Sequence, residues 1–351
     1  MNPIADSPQA KEADSAVQLS KDTPASHMRE KSEHPCPICG TPTTVLYEKM
    51  YDDRYGYPGA FTLMTCEKCG HRHVPSAFTP EQLGVLYSEY YPRSTMSVDD
   101  YVPYTEAHGF ASWFNGERCS AFRWVPKNVR ILDIGCGFCQ TLGYHNNRGC
   151  ESYGVEVDTN ARRVAEKFGL NVQIGVFDAS KYPADFFDYV TMDQVIEHVV
   201  DPNLVFAGIH QVLKPGGTAI FSTPYSHSLP ARIFGRRWIN WHIPYHIQHF
   251  SRDSFCLACE NAGLELAATR TITHSEWLGY QWMHSLSYPR IGQPSRFWSP
   301  HPDKASLYRK ARVRVSIILH RLKVDHLLTR LFDLMGKGDN MLYFVRKPAA
   351  T

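Results

Sequence analysis

Between Val129 and Thr223, five short runs of apolar and β-branched residues alternate with stretches of helical period: Val129–Ile134, Ser152–Val157, Asn171–Gly175, Phe187–Met192 and Thr218–Thr223. Strands separated in this way pair in parallel, because a parallel neighbour needs a crossover of about a dozen residues or more, usually a helix. The alternation therefore predicts an α/β fold, a doubly wound and mostly parallel sheet with helices on both faces. Leu264–Thr273 and Asn340–Lys347 are two further strand candidates, which makes seven.

The rest of the 351 residues divides around that sheet. Residues 1–34 hold almost no large apolar side chain and read as a disordered tail. Residues 35–75 form a compact cysteine-bearing segment too short to hold a core alone, and 76–128 an aromatic connector. In the connector, Thr79-Pro80-Glu81-Gln82 opens a helix expected to run to about Tyr90. Residues 129–351 make the sheet domain, with a helical insertion over about 277–337. No apolar run approaches the roughly 18 residues that cross a bilayer, which excludes a channel or transporter. A net charge of +2 gives no strongly basic balance that would announce nucleic acid over the whole chain. The first thirty-odd residues lack the apolar core of a secretory signal, so the cytoplasm is the expected compartment.

Cys36-Pro37-Ile38-Cys39-Gly40 and Cys66-Glu67-Lys68-Cys69-Gly70 are two C-x-x-C-G knuckles. Two tight turns that each present two thiolates satisfy a tetrahedral zinc ion, and four sulfurs leave no position for a catalytic water. The expected ligands of a structural zinc are thus Cys36, Cys39, Cys66 and Cys69. A redox dithiol is the weaker reading, since two matching pairs occur without a thioredoxin-like context. His71 and His73, beside the second knuckle, read as surface histidines.

The first strand ends in Asp133-Ile134-Gly135-Cys136-Gly137, and the second, about twenty residues on, in Glu156-Val157-Asp158. A glycine turn at the carboxyl edge of a parallel sheet brings the backbone close to a ligand, and an acid on the next strand end accepts from ribose hydroxyls. With these residues the chain resembles the class I S-adenosylmethionine-dependent methyltransferases, over roughly 105–270 and the last strand. The resemblance extends to Gly175-Val176-Phe177-Asp178, to Asp193-Gln194-Val195-Ile196-Glu197-His198 and to Leu213-Lys214-Pro215-Gly216-Gly217. It implies a seven-stranded Rossmann-like sheet. It also implies that S-adenosylmethionine is held by Asp133, Gly135, Gly137, Glu156, Val176, Phe177, Asp178, Asp193 and Gln194. A dinucleotide-binding dehydrogenase expects G-x-G-x-x-G, a spacing that Cys139-Gln140-Thr141 does not complete.

For the chemistry, His198 follows the fourth strand, which faces the methyl group in the enzymes the chain resembles. His246 and His249 belong to an H-x-x-H-F-S segment similar to that of one methyltransferase branch, and all three are candidate bases or anchors. The Glu197-His198 pair is similar to that of quinone-precursor O-methyltransferases, where carboxylate and imidazole hold a divalent metal. Those enzymes carry a second glutamate where this chain has Gln194, which weighs against a metal here.

Residues 304–330 form a basic amphipathic helix or helix pair with Asp325 as the one acid; a solvated face is the plain reading and membrane-surface contact the other. The leading functional expectation is a methyltransferase acting on oxygen, carbon or nitrogen of a small metabolite, such as a sugar or a secondary-metabolite intermediate. An RNA methyltransferase gripping substrate through a zinc ribbon is the alternative, and a non-catalytic partner protein the third. Residues 35–75 balance Lys49, Arg54, Lys68 and Arg72 against Glu48, Asp52, Asp53 and Glu67, which makes nucleic acid an unlikely partner.

Overall fold

The computed structural model describes residues 31–75, 78, 82, 85–91, 97–298 and 307–349. The expected tail therefore falls outside the described residues except for its last four, which belong to a strand. Thr79, Pro80 and Glu81 fall outside as well, and so do the side chains of residues 304–313.

Twelve strands are described, in two sheets. The N-terminal sheet is built from β1 (Lys31–Pro35), β2 (Pro42–Met50), β3 (Phe61–Thr65) and β4 (Arg72–His73). The large sheet contains β5 (Arg130–Ile134), β6 (Glu151–Glu156), β7 (Asn171–Ile174), β8 (Phe187–Asp193) and β9 (Leu213–Pro224). After β10 (Gln248–His249) it is completed by β11 (Glu265–Thr271) and β12 (Asn340–Arg346).

All seven expected strands form, in the order β11-β12-β9-β8-β5-β6-β7. β7, β6, β5, β8 and β9 run parallel, and β12 lies antiparallel to both β9 and β11. Successive side chains on a strand point to opposite faces. Leu132 and Ile134 accordingly enter one apolar cluster and Ile131 the other; likewise Phe221 opposes Ile220, and Tyr343 opposes Leu342. Both faces are covered, as the central strands of a parallel sheet require. The strand order reverses between β5 and β8, and this switch point is where open α/β sheets bind ligands.

The cysteine segment is not a free appendage. β10 adds to its sheet, with Gln248 opposite His73 and His249 opposite Arg72. Cys36, Ile38, Cys66 and Cys69 belong to the same buried cluster as Phe206, Phe255 and Tyr343 of the large domain. Large-domain side chains also meet the knuckle carbonyls: Asn203 donates to Pro37 and Asn261 to Ile38, while Ser251 donates to Cys69 and His227 Nε2 lies 2.8 Å from the oxygen of Gly70. This docking corrects the reading of His71 and His73 as surface residues. Both are buried, because β10 and the following chain cover them, and His71 Nε2 lies 2.9 Å from Gln248 Oε1.

The basic segment is a helix pair, Leu307–Arg321 and Val324–Leu334, packed against the helix Glu276–Leu286. Its second helix is exposed at Leu327, Leu331 and Leu334, with Met335 following; every exposed residue from 324 to 335 is large and apolar.

Candidate active site

The glycine turn after β5 is held from three sides. Gly135 has φ +81°, and a Cβ there would lie 2.3 Å from Val195 Cγ2, so the turn packs directly on the segment after β8. The amide of Gly137 donates to Glu156 Oε2 at 2.8 Å, and the amide of Asp158 to Glu156 Oε1 at 2.9 Å. Asp133 lies underneath at 2% exposure and accepts from Thr141 Oγ1 (2.5 Å) and Thr191 Oγ1 (2.7 Å). Burial raises its pKa, and the two hydroxyls oppose that shift. It braces the turn from inside, while Glu156 remains half-exposed at the cleft.

The other expected cofactor residues line the same edge. Val176 is exposed, and Phe177 packs on Gly208. Asp178 accepts from the amide and hydroxyl of Ser180 (3.0 and 2.7 Å), which lowers its pKa and caps a short turn. Asp193 accepts from the amides of Ala121 and Phe122, although burial still pushes its pKa up to about 7. Gln194, at φ +54°, donates to Ser222 Oγ and Asn340 Oδ1.

Past Gln194 the chain reaches a buried histidine cluster. Glu197, 1% exposed, accepts from Thr223 Oγ1 at 2.9 Å; its Oε1 has no partner, and burial pushes its pKa up to about 8. His198 Nδ1 lies 3.0 Å from the carbonyl oxygen of Tyr245, a contact that requires the proton on Nδ1 and leaves the Nε2 lone pair free. Burial depresses its pKa to about 4, so the ring is neutral at pH 7. His246 donates from Nδ1 to the carbonyl of Asn240 (2.9 Å) and stands edge-on to His198 with ring centroids 4.7 Å apart. His249 adjoins His246, ring centroids 6.3 Å apart, but lies outside the group formed by Glu197, His198 and His246. It lies in β10 and packs edge-on to Trp241, both ring nitrogens unpartnered.

Residues 108–269 match the sequence family described as "Methyltransferase domain". That span covers the parallel strands, the glycine turn and both strand-end acids, and the sheet has the seven strands the resemblance implied. The chain carries a class I S-adenosylmethionine-dependent methyltransferase domain. Among curated proteins it is similar to a ubiquinone biosynthesis O-methyltransferase of Azoarcus sp. strain BH72, 28% identical over 42% of this chain and 68% of that protein. Its namesake in Pseudomonas syringae pv. tomato is 33% identical over 28% of this chain and 48% of the relative. A solved S-adenosylmethionine-dependent methyltransferase from Archaeoglobus fulgidus aligns with 65% of this chain and 88% of its own at 17% identity and TM-score 0.39.

In this methyltransferase the four cysteines converge. Their sulfurs all lie within 4.8 Å of one another, with Cys36–Cys69 at 3.6 Å and Cys39–Cys66 at 3.4 Å. Sulfurs at tetrahedral corners about 2.3 Å from a zinc ion stand about 3.8 Å apart, so the donor set and spacing fit zinc.

The residues that sequence reasoning missed come from the loop between β2 and β3. Asp52 folds it by accepting the amides of Arg54, Tyr55 and Tyr57, each at 2.9 Å, and pins it to the histidine segment through the hydroxyl of Tyr245 at 3.2 Å. Tyr55 then stands edge-on to His242 and Tyr245, both at 5.6 Å, and Tyr87 and Tyr91 pack on Tyr245. Tyr55 of this loop, with Tyr87 and Tyr91 from the connector, thus walls the segment that carries His242 and Tyr245, and the Tyr87 hydroxyl lies 3.3 Å from His198 Nδ1. Ligand atoms of Glu197, His198 and His246 lie within 4.8 Å of one another, close enough for a cation, but the positive charge of Arg54 acts on both histidines and opposes one.

Proposed function

We propose that this methyltransferase moves the methyl group of S-adenosylmethionine to a hydroxyl oxygen of a small metabolite, with His198 as the base. The observation that carries this reading is the neutral His198 ring, its Nδ1 proton tied to a carbonyl and its Nε2 free, next to His246 and a few residues from the turn that packs on Gly135. The activity for which the relatives are named, O-methylation in ubiquinone biosynthesis, supports oxygen as the acceptor atom.

On this reading Glu156 takes the ribose hydroxyls, the Gly135–Gly137 turn passes beneath the methionine part, and residues 176–178 border the adenine. Asp193 and Gln194 border the methionine part. When bound, S-adenosylmethionine supplies an electrophilic methyl group. As the acceptor oxygen received that methyl group, with the bonding pair left on the departing sulfur, His198 would take the hydroxyl proton at Nε2. His246, held by Asn240, orients the acceptor, and the tyrosines exclude water from the reacting atoms. His249 supports this wall from behind rather than touching substrate.

Zinc on the four cysteines fixes the N-terminal sheet and hence the loop that closes the acceptor site. The charges this segment leaves exposed, Lys49 and Lys68 against Glu48 and Glu67, balance one another and form no basic patch, which disfavours the RNA reading. Transfer from 13C-methyl S-adenosylmethionine, read by NMR of the product, tests the acceptor atom: a methoxy carbon supports the proposal and an N- or C-methyl carbon contradicts it.

The exposed face of the helix pair supports a further partner, an anionic membrane surface. Leu327, Leu331, Leu334 and Met335 fall on one face of the second helix, and Val315, Ile317, Ile318 and Leu322 are exposed on the first. Arg314, Arg321, Lys323 and Lys337 are exposed around them, whereas Asp325 is buried and Asp333 is tied to Thr273. Self-association through this face would set like charges opposite one another, while an anionic bilayer would neutralise them. No described helix is long and apolar enough to cross a membrane, so the contact is peripheral.

A further inference from the structure

Arg54 is a buried cation that meets no anion among the described residues. Its residue is 5% exposed; Nη2 donates to the carbonyl of Ile239 at 2.6 Å, the guanidinium lies 4.6 Å from the ring centroid of Trp298, and Nε has no partner. The two acids that precede it pair with other groups, although Asp53 Oδ1 has no partner. Asp52 accepts three backbone amides and the Tyr245 hydroxyl, and Asp53 Oδ2 lies 3.2 Å from His284 Nε2. Desolvating a guanidinium without a counter-charge is costly, so a fold that does it constitutively has a reason outside its own packing.

The position supplies that reason. Arg54 rests on the carbonyl of Ile239, and the next carbonyl, that of Asn240, fixes His246. The residue after Arg54, Tyr55, packs on His242 and Tyr245. The charge is also felt at His198, His242 and His246, where it helps to depress the pKa of each ring. A guanidinium edge with a free Nε–H offers a planar fork that matches a carboxylate in two parallel hydrogen bonds.

We propose that Arg54 is the anchor for a carboxylate on the methyl acceptor, so that the substrate is a hydroxylated carboxylic acid whose hydroxyl is thereby directed at His198. This rests on the methyl-transfer reading above and narrows its substrate class. The anchor comes from the N-terminal sheet and the base from the large domain, so the acceptor bridges the two.

The test uses the full chain, tritiated-methyl S-adenosylmethionine and a small-molecule extract of the host, the labelled product being passed over an anion exchanger after unreacted donor is removed on a cation exchanger. Retention at neutral pH that survives phosphatase treatment is the expected result for the wild type. Arg54→Gln should then raise the KM for that product's precursor more than about tenfold, with a smaller change in kcat and an unchanged affinity for S-adenosylhomocysteine. Arg54→Lys should recover part of the loss. A labelled product that flows through, or whose charge phosphatase removes, overturns the carboxylate anchor and leaves the methyltransferase reading standing. Equal KM values for wild type and Arg54→Gln overturn it as well. No label in any small molecule overturns the underlying reading itself.

Discussion

Glu156 accepts the amide of Gly137 across the ends of two neighbouring strands at 2.8 Å, so the residue proposed for the ribose is already oriented by the turn proposed for the methionine part. Each fixes the other, and the cleft is organised before a cofactor arrives. Glu156→Ala removes the carboxylate from a half-exposed position and should leave the melting temperature nearly unchanged. The dissociation constant for S-adenosylmethionine, measured by calorimetry, should rise about ten- to a hundredfold, or roughly 1.4–2.8 kcal/mol. Equal affinities would remove Glu156 from the cofactor site.

The knuckles and the acceptor site share one sheet, so metal loss should separate the two halves of the reaction. Wild type is expected to release one zinc per chain to a colorimetric chelator after thiol modification. Cys66→Ser should lower stability and methyl transfer together, while affinity for S-adenosylmethionine changes less than about threefold, because the ribose carboxylate belongs to the other sheet. Cofactor affinity falling in step with transfer would contradict this division.

Burial sets opposing pH dependences, and their signs can be worked out. His71, His73, His145, His198 and His227 have folded pKa values pushed down to about 3 or 4. Between those values and the unfolded value of about 6.5, the unfolded chain binds protons that the folded chain does not. Their contribution to stability is therefore complete above that pH and lost as pH falls. Asp193 and Asp339 are raised to about 7 and Glu197 to about 8, so their contribution is present at low pH and lost as pH rises through those values. Melting temperature should climb from about pH 5 to about pH 6.5 and decline toward about pH 8.5. His145 is fully buried with both ring nitrogens unpartnered, so His145→Leu should raise the melting temperature at pH 5.5 by at least about 2 °C and flatten the acid limb. An unchanged acid limb would show that the ring carries no such cost.

Flotation with liposomes tests the helix pair. Binding is expected to vesicles containing anionic phosphatidylglycerol, to weaken with salt, and to be lost in a Leu331→Asp, Leu334→Asp protein that keeps its affinity for S-adenosylmethionine. Binding to neither neutral nor anionic vesicles would refute the membrane assignment, and a concentration-dependent dimer abolished by the same substitutions would assign the face to a second copy of the chain.

What the sequence shows and what it hides follow from the range of the interactions. The strands from Val129 to Thr223 are legible because burial on both faces demands apolar runs, and the turns at Gly135 and Gly137 because the backbone there needs positive φ. The cysteine cluster is legible because ligand spacing within a knuckle is local. The docking of the two sheets is not, since Asp52 and Tyr245 are 193 residues apart and neither stands in a periodic pattern. Arg54 reads in the sequence as one of four balanced charges, and only burial distinguishes it. Likewise the charges of the helix pair draw attention first, although the exposed stripe from Leu327 to Met335 is apolar.

The most direct measurement of the whole account is transfer of tritiated methyl from S-adenosylmethionine into a host extract resolved into metabolite, RNA and protein fractions, with wild type beside His198→Ala. Label is expected in the metabolite fraction with wild type, with a fall of at least about a hundredfold in His198→Ala at unchanged cofactor affinity. Label in RNA, or equal labelling by both proteins, would contradict it.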